Sequence, residues 1–244
     1  MASQPIYQFY AVLRGYKPKI WRRFQVMQNI TLARLAYILM TLFEMKASHL
    51  FLIDVPYRKN ARLSYPEAEE DFYQMFSEHK YFTILYDFLD DFGQEYLDAS
   101  AYKLYKMLAN EKEELNFEYD FGDGWEVYLK VEIIFDDKNL PGKELPRVID
   151  GQGFGIVEDC GGISGLTSLR KAFKKKSGQV YKELSEWLGI EDLDLDAFDM
   201  DDMNFRLKKI PRIYCDVYEK MLYPTERSLK ILSRQYEGAG QGLP

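Results

Sequence analysis

The chain has 244 residues, of which 47% are apolar and 16% aromatic, with 19 Tyr and 16 Phe. Enough apolar side chain is present to offset the entropy cost of ordering the backbone, which excludes global disorder. The formal net charge of -7 excludes long-range attraction of the whole molecule to nucleic acid, so any such contact has to come from a local basic patch.

No apolar run approaches the ~20 residues of a membrane-spanning helix, since residues 30–45 are interrupted by Arg34 and Glu44. The first residues lack the basic and apolar segments of a secretion signal, and the only cysteines are Cys160 and Cys215. These features predict a cytoplasmic protein with reduced thiols and no membrane association.

Residues 6–13 and 19–26 predict two strands of an opening hairpin, punctuated by Gly15 and Pro18. From Thr31, an expected N-cap, Leu32, Leu35, Ala36, Leu39, Leu42 and Phe43 recur at helical spacing and predict a helix that covers a sheet face. Residues 49–55 read as a third strand ended by Pro56. Residues 67–91 mix helix formers with dense aromatics and are read as helices, and Ser100 is read as the cap of a helix running to about residue 109.

Residues 116–121 and 125–135 alternate strictly and predict a hairpin. A two-residue Asp123-Gly124 turn mixes the faces. A three-residue loop, Gly122-Asp123-Gly124, keeps the apolar residues together by pairing Phe121 with Trp125, Tyr119 with Val127 and Phe117 with Leu129. This register places Asp120 opposite Glu126 on the outer face.

Residues 141–165 are glycine-rich and read as a long ordered loop. Helices are expected over 166–176 and 180–188, and a short one capped by Asp199 ends near Lys209. Pro211 breaks the chain, a last helix over 214–236 is interrupted or restarted by Pro224, and residues 237–244 form a flexible tail. The expected fold is α+β: a mixed, largely antiparallel sheet with helices packed mainly on one face, plus a C-terminal helical extension.

Four stretches resemble the plasmid pRiA4b ORF-3-like family: Lys17-Pro18-Lys19-Ile20-Trp21-Arg22-Arg23, Tyr119-Asp120-Phe121-Gly122-Asp123-Gly124-Trp125, Glu158-Asp159-Cys160-Gly161-Gly162, and Phe198-Asp199-Met200-Asp201-Asp202-Met203-Asn204. The resemblance covers roughly residues 6–209. It implies one domain over 1–209 with a helical insertion at about 56–95, followed by a helical extension over 210–236. It also implies an association with plasmids and mobile elements, where labels such as resolvase attach to relatives without a supporting mechanism. Relatives often carry His where this chain has Ala36, Phe51 and Val127, and Cys where it has Gly155.

Asp120, Asp123, Trp125, Glu126, Glu158, Asp159 and Cys160 form the candidate binding cleft. Like charges facing across a strand pair require a cation, a shared proton or a donor, so Asp120, Glu126, Glu158 and Asp159 are the candidate ligands of Mg²⁺ or Mn²⁺. The alternative is a solvated hairpin tip, or a salt bridge to Arg22 or Arg23. Arg14, Lys17, Lys19, Arg22 and Arg23, interleaved with Tyr16 and Trp21, are the candidate nucleic-acid contacts. Arg22 and Arg23 point to opposite faces, so one of them is expected to be buried against carboxylates.

Gly151, Gly153 and Gly155 do not complete a dinucleotide fingerprint, and His49 and His79 carry no triad signature. No catalytic residues are assigned. The leading expectation is a non-catalytic binding protein without a cofactor, most suited to a protein partner. The alternatives are a divalent-metal-dependent phosphodiester hydrolase built on the carboxylate cluster and a nucleic-acid-binding protein using the first hairpin.

Overall fold

The computed structural model describes residues 4–86 and 95–235. The opening hairpin consists of β1 (Ile6–Leu13) and β2 (Trp21–Met27). Helix α1 (Leu32–Leu42) follows, and the Thr31 side chain accepts from Arg34 N at 3.1 Å as the expected N-cap. Strand β3 (Phe51–Val55) leads into α2 (Tyr57–Ser64), α3 (Glu70–Gln74) and β4 (Lys80–Thr83). Then come β5 (Tyr96–Asp98), the single turn α4 (Leu104–Met107), and the central hairpin of β6 (Glu114–Tyr119) and β7 (Trp125–Phe135). Strand β8 (Arg147–Gln152) precedes α5 (Gly162–Lys175), α6 (Gln179–Leu188), α7 (Met200–Leu207), α8 (Ile210–Lys220) and α9 (Glu226–Leu232).

Among the described residues the strands form one sheet in the order β5-β4-β3-β6-β7-β1-β2-β8, antiparallel throughout except for the parallel β4–β5 pair. Phe9, Ala11 and Leu13 on β1, Phe51, Ile53 and Val55 on β3, and Leu115, Phe117 and Tyr119 on β6 point to one buried face, where they meet α1, buried at every residue but Arg34. The other face carries a polar ladder: Arg23 binds both oxygens of Glu132 at 2.6 and 2.8 Å, and Tyr128 donates to Glu114 at 2.7 Å. The fold is therefore α+β with a mixed sheet covered mainly on one face. No helix in the described chain is long and apolar enough to cross a membrane.

Three expectations change. Among the described residues 67–86 only the five-residue α3 is helix, and the aromatics Tyr81 and Phe82 lie in β4 instead; residues 87–91 of that expectation fall outside the described residues. Ser100 caps no helix, because its N–H and hydroxyl both bind the Asp98 carboxylate, at 2.8 and 2.9 Å. The glycine-rich stretch contains an edge strand, β8, in which a Cβ at Gly151 would stand 2.9 Å from both the Trp21 carbonyl and the Phe198 ring. The tail at 237–244 lies outside the described residues.

The C-terminal extension is integral to the core. Pro211 lies in the first turn of α8, which buries Ile210, Ile213, Tyr214 and Tyr218, and Thr225 caps α9, its hydroxyl accepting from Ser228 N at 3.2 Å. Beyond α9, Arg234 binds Glu44 at 2.8 Å and Asp202 at 3.0 Å, while Arg206 binds the other oxygen of Glu44 at 3.1 Å.

Arg22 is the fully buried arginine of the opening hairpin, and it is held by carbonyls, not carboxylates. Its guanidinium donates to Leu42, Trp21, Gln152, Gly153 and Phe154 carbonyls at 2.7 to 3.0 Å and stacks 4.1 Å from the Phe198 ring. Burial pushes its pKa down to about 9, so it remains a cation at neutral pH. One side chain thus ties β2, the end of α1 and the segment after β8 together. Replacing it strands five carbonyls, whereas Arg23 sits in a half-exposed surface pair. Urea unfolding is expected to show Arg22→Met destabilised by roughly 3 kcal/mol or more and Arg23→Met by under about 1 kcal/mol.

Candidate functional site

The central hairpin pairs Tyr119 with Trp125, Phe117 with Val127 and Glu118 with Glu126. Its loop therefore has five residues, not three, and the like-charged pair across the strands is Glu118–Glu126 instead of Asp120–Glu126. The same faces are buried in either register, because a shift of two residues preserves side-chain alternation. Burial, and then the charge of Glu126 opposite, push the Glu118 pKa up. Arg14 lies 3.8 Å from Glu126.

Asp120 enters the loop with φ 56°, its amide donating to Leu50 O at 3.0 Å and its Oδ1 accepting from Gly122 N at 3.0 Å. This local hydrogen bonding suits Asp to the left-handed conformation. The loop packs against the second signature: a Cβ at Gly162 (φ 65°) would stand 2.6 Å from the Asp123 carbonyl. The two motifs are neighbours in space, as the sequence reading expects.

Glu158 fastens them. It is buried, and its carboxylate accepts from Lys46 N at 2.6 Å, Ser48 Oγ at 2.7 Å and Tyr119 Oη at 2.5 Å. Both oxygens are thereby spent on the loop before β3 and on β6. Tyr214 and Tyr218 of α8 donate their hydroxyls to the Met45 and His49 carbonyls of the same loop. Burial pushes the phenols of Tyr119, Tyr214 and Tyr218 well up, so all three remain protonated donors.

These contacts set His49 between two carboxylates: Nδ1 lies 3.6 Å from Asp120 Oδ1, and Nε2 lies 3.5 Å from Asp159 Oδ1. One ligand atom from each of His49, Asp120 and Asp159 falls within 4.8 Å of the others. Asp120 is buried, His49 half-buried and Asp159 exposed, so the group opens to solvent on one side. Asp159 also has positive φ, 59°.

The structure brings Asp120, Asp159, Asp123 and Cys160 to one place and removes the rest of the candidate set. Glu126 faces outward across from Glu118, and Glu158 is an anchor. Trp125 is fully buried core, its Nε1 without a partner, and is no cleft wall. The basic candidates are dispersed: Arg22 is buried, Arg23 is held by Glu132 and Asp150, and Arg14 is bonded to Asn116 at 2.7 Å. Lys17 and Lys19 are exposed at the turn.

The sequence reading missed His49 because a lone histidine next to a strand has no spacing signature. The relevant signal was its position two residues before β3, which pairs with the strand leading to Asp120.

Residues 5–203 match the family model described as plasmid pRiA4b ORF-3-like protein. The chain belongs to this family. It is 28% identical over 116 residues to "Uncharacterized protein y4hQ" of Sinorhizobium fredii (strain NBRC 101917 / NGR234); the match covers 47% of this chain and 58% of that protein. Its fold is similar to the crystal structure of a protein of unknown function, MM3350 from Methanosarcina mazei Go1. The TM-score is 0.64 and the identity 24%, over 82% of this chain and 98% of the other.

Helices α8 and α9 lie beyond the matched residues. Ala36, Phe51 and Val127, which stand where relatives often have His, are all buried core here. At Gly155 a Cβ would meet the Phe43 carbonyl at 2.7 Å, so this backbone is committed to glycine where relatives often have Cys.

Cys160 is half-buried, and burial, followed by the Asp123 charge, pushes its thiol up to about 12 from 9.0. The folded chain therefore holds this proton where the unfolded chain releases it. The resulting stability is complete below the unfolded value and is lost as pH rises from 9.0 to about 12. Thermal unfolding is expected to show Tm falling across that range, with a shallower fall in Cys160→Ala. Iodoacetamide at about pH 8 should label folded Cys160 at least tenfold more slowly than the unfolded chain.

Proposed function

We propose that the protein is a divalent-metal-dependent binding protein whose ion is held by His49, Asp120 and Asp159. The observation that carries this reading is the convergence of one imidazole nitrogen and two carboxylate oxygens within 4.8 Å, on three separate segments fixed by buried hydrogen bonds. Asp120 faces Nδ1 of the ring and Asp159 faces Nε2, so an ion is seated on one of these nitrogens and the carboxylate on the other side moves to reach it.

Two carboxylates and a neutral imidazole balance the charge of a divalent cation. The imidazole favours Zn²⁺ or Mn²⁺ over Mg²⁺, in place of the all-oxygen set expected from the sequence. Three protein ligands leave coordination positions open on the solvent side for a ligand. The hydrolase reading is weaker, since Glu126 and Glu158, two of its four carboxylates, serve elsewhere. The nucleic-acid reading loses its continuous patch to the burial of Arg22 and the pairing of Arg23.

Titration calorimetry is expected to show uptake of one Zn²⁺ or Mn²⁺ per chain, weakened at least about tenfold in His49→Ala and Asp120→Asn and unchanged in Glu126→Gln. No uptake by the native chain, or equal uptake by all four proteins, would overturn the proposal.

A further inference from the structure

We infer that the ligand of this site is a small monocarboxylate with an aliphatic or aromatic body. Its carboxylate takes an open position on the ion, and its body lies in the cleft between His49 and the end of α8. The inference rests on the metal-binding reading above and names what that ion recognises.

A cleft of about 560 Å³ is lined by His49, Leu50, Tyr86, Tyr218, Met221 and Tyr223 among others. Its size falls within the ~300 to 1,000 Å³ of small-molecule sites. His49 belongs both to the cleft wall and to the metal-ligand group, whereas Asp120 and Asp159 do not line the cleft, so the ion site adjoins an otherwise largely apolar trough through His49.

The polar groups nearest that junction are already used. The Ser48 hydroxyl donates to Glu158, and the Tyr218 hydroxyl donates to the His49 carbonyl. A sugar or nucleotide would set many hydroxyls against walls with few polar groups free to receive them, which is unfavourable. A ligand with a single charged end and an apolar remainder matches the distribution of polar atoms. Without the ion, two carboxylates would repel that charged end, so recognition of the anion is made conditional on metal.

The far wall has its own signature. Met221 is 72% exposed, Leu222 54% and Tyr223 97%, a run of three large apolar side chains facing water. Met221 ends α8 with φ 53°, and Leu222 N returns to Asp216 O at 3.0 Å, so the run is held by a helix cap. An apolar body in the cleft would remove part of this surface from water. The wall lies beyond the family-matched residues, which makes ligand selectivity a property of this chain's extension.

The test is calorimetric titration of butyrate, octanoate and 4-phenylbutyrate into the Zn²⁺-loaded full chain, with 4-phenylbutanol as the uncharged control. Octanoate or 4-phenylbutyrate is expected to bind at least about tenfold more tightly than butyrate or 4-phenylbutanol, and to lose that affinity in the metal-free chain. Met221→Glu should weaken binding about tenfold while Zn²⁺ uptake, measured on the same sample, is unchanged. Normal Zn²⁺ uptake with no binding of either longer carboxylate, or with equal affinity for all four compounds, would overturn this inference alone. Failure of the native chain to take up Zn²⁺ or Mn²⁺ would remove the metal site and this inference with it.

Discussion

The carboxylate of Glu158 is the constraint on which the site depends. A buried negative charge is tolerated only when hydrogen bonds replace its water, and here Lys46 N, Ser48 Oγ and Tyr119 Oη do so. Each donor lies on a segment that carries, or directly precedes, a residue of the His49–Asp120–Asp159 group. Satisfying one buried anion therefore draws the loop before β3, the end of β6 and the Glu158–Asp159 turn together. Their convergence follows from the need to satisfy this buried anion.

A second layer supports the first. Tyr214 and Tyr218 press on the loop from α8, and Arg22 binds the carbonyls around the end of α1 and the exit from β8. Glu44, one residue before the loop, is held by Arg206 and Arg234. Residues 42–49, a segment with little regular structure, thus contact charged or hydroxyl donors from β2, α7, α8 and the residues after α9. The added C-terminal helices take part in this support and also supply one wall of the neighbouring cleft.

Much of the fold was legible because its signals are local and strong. Thr31 and Asp199 sit where their oxygens meet the first free amides of α1 and α7, and the alternation in 116–135 fixes which side chains are buried. Alternation has a period of two, however, so it cannot distinguish a three-residue from a five-residue loop, and Asp120 was paired with the wrong partner. Strands β4 and β5 are short and β8 lies at the sheet edge, and their pairing comes from tertiary neighbours, leaving little periodic trace. The candidate site was half legible: Asp120 and Asp159 stand in recognisable motifs, whereas His49 acquires meaning only when β3 pairs with β6. Glu158 was read as a free carboxylate because nothing in its own segment announces donors more than a hundred residues away.

The central claim, that buried hydrogen bonding assembles a three-ligand cation site, is tested most directly by anomalous diffraction from a crystal of the full chain soaked in Mn²⁺ or Zn²⁺. A single strong anomalous peak bounded by His49, Asp120 and Asp159, with Glu158 outside the coordination sphere, is the predicted result. A peak coordinated by Glu158, or no peak between His49 and the two aspartates, would contradict the account.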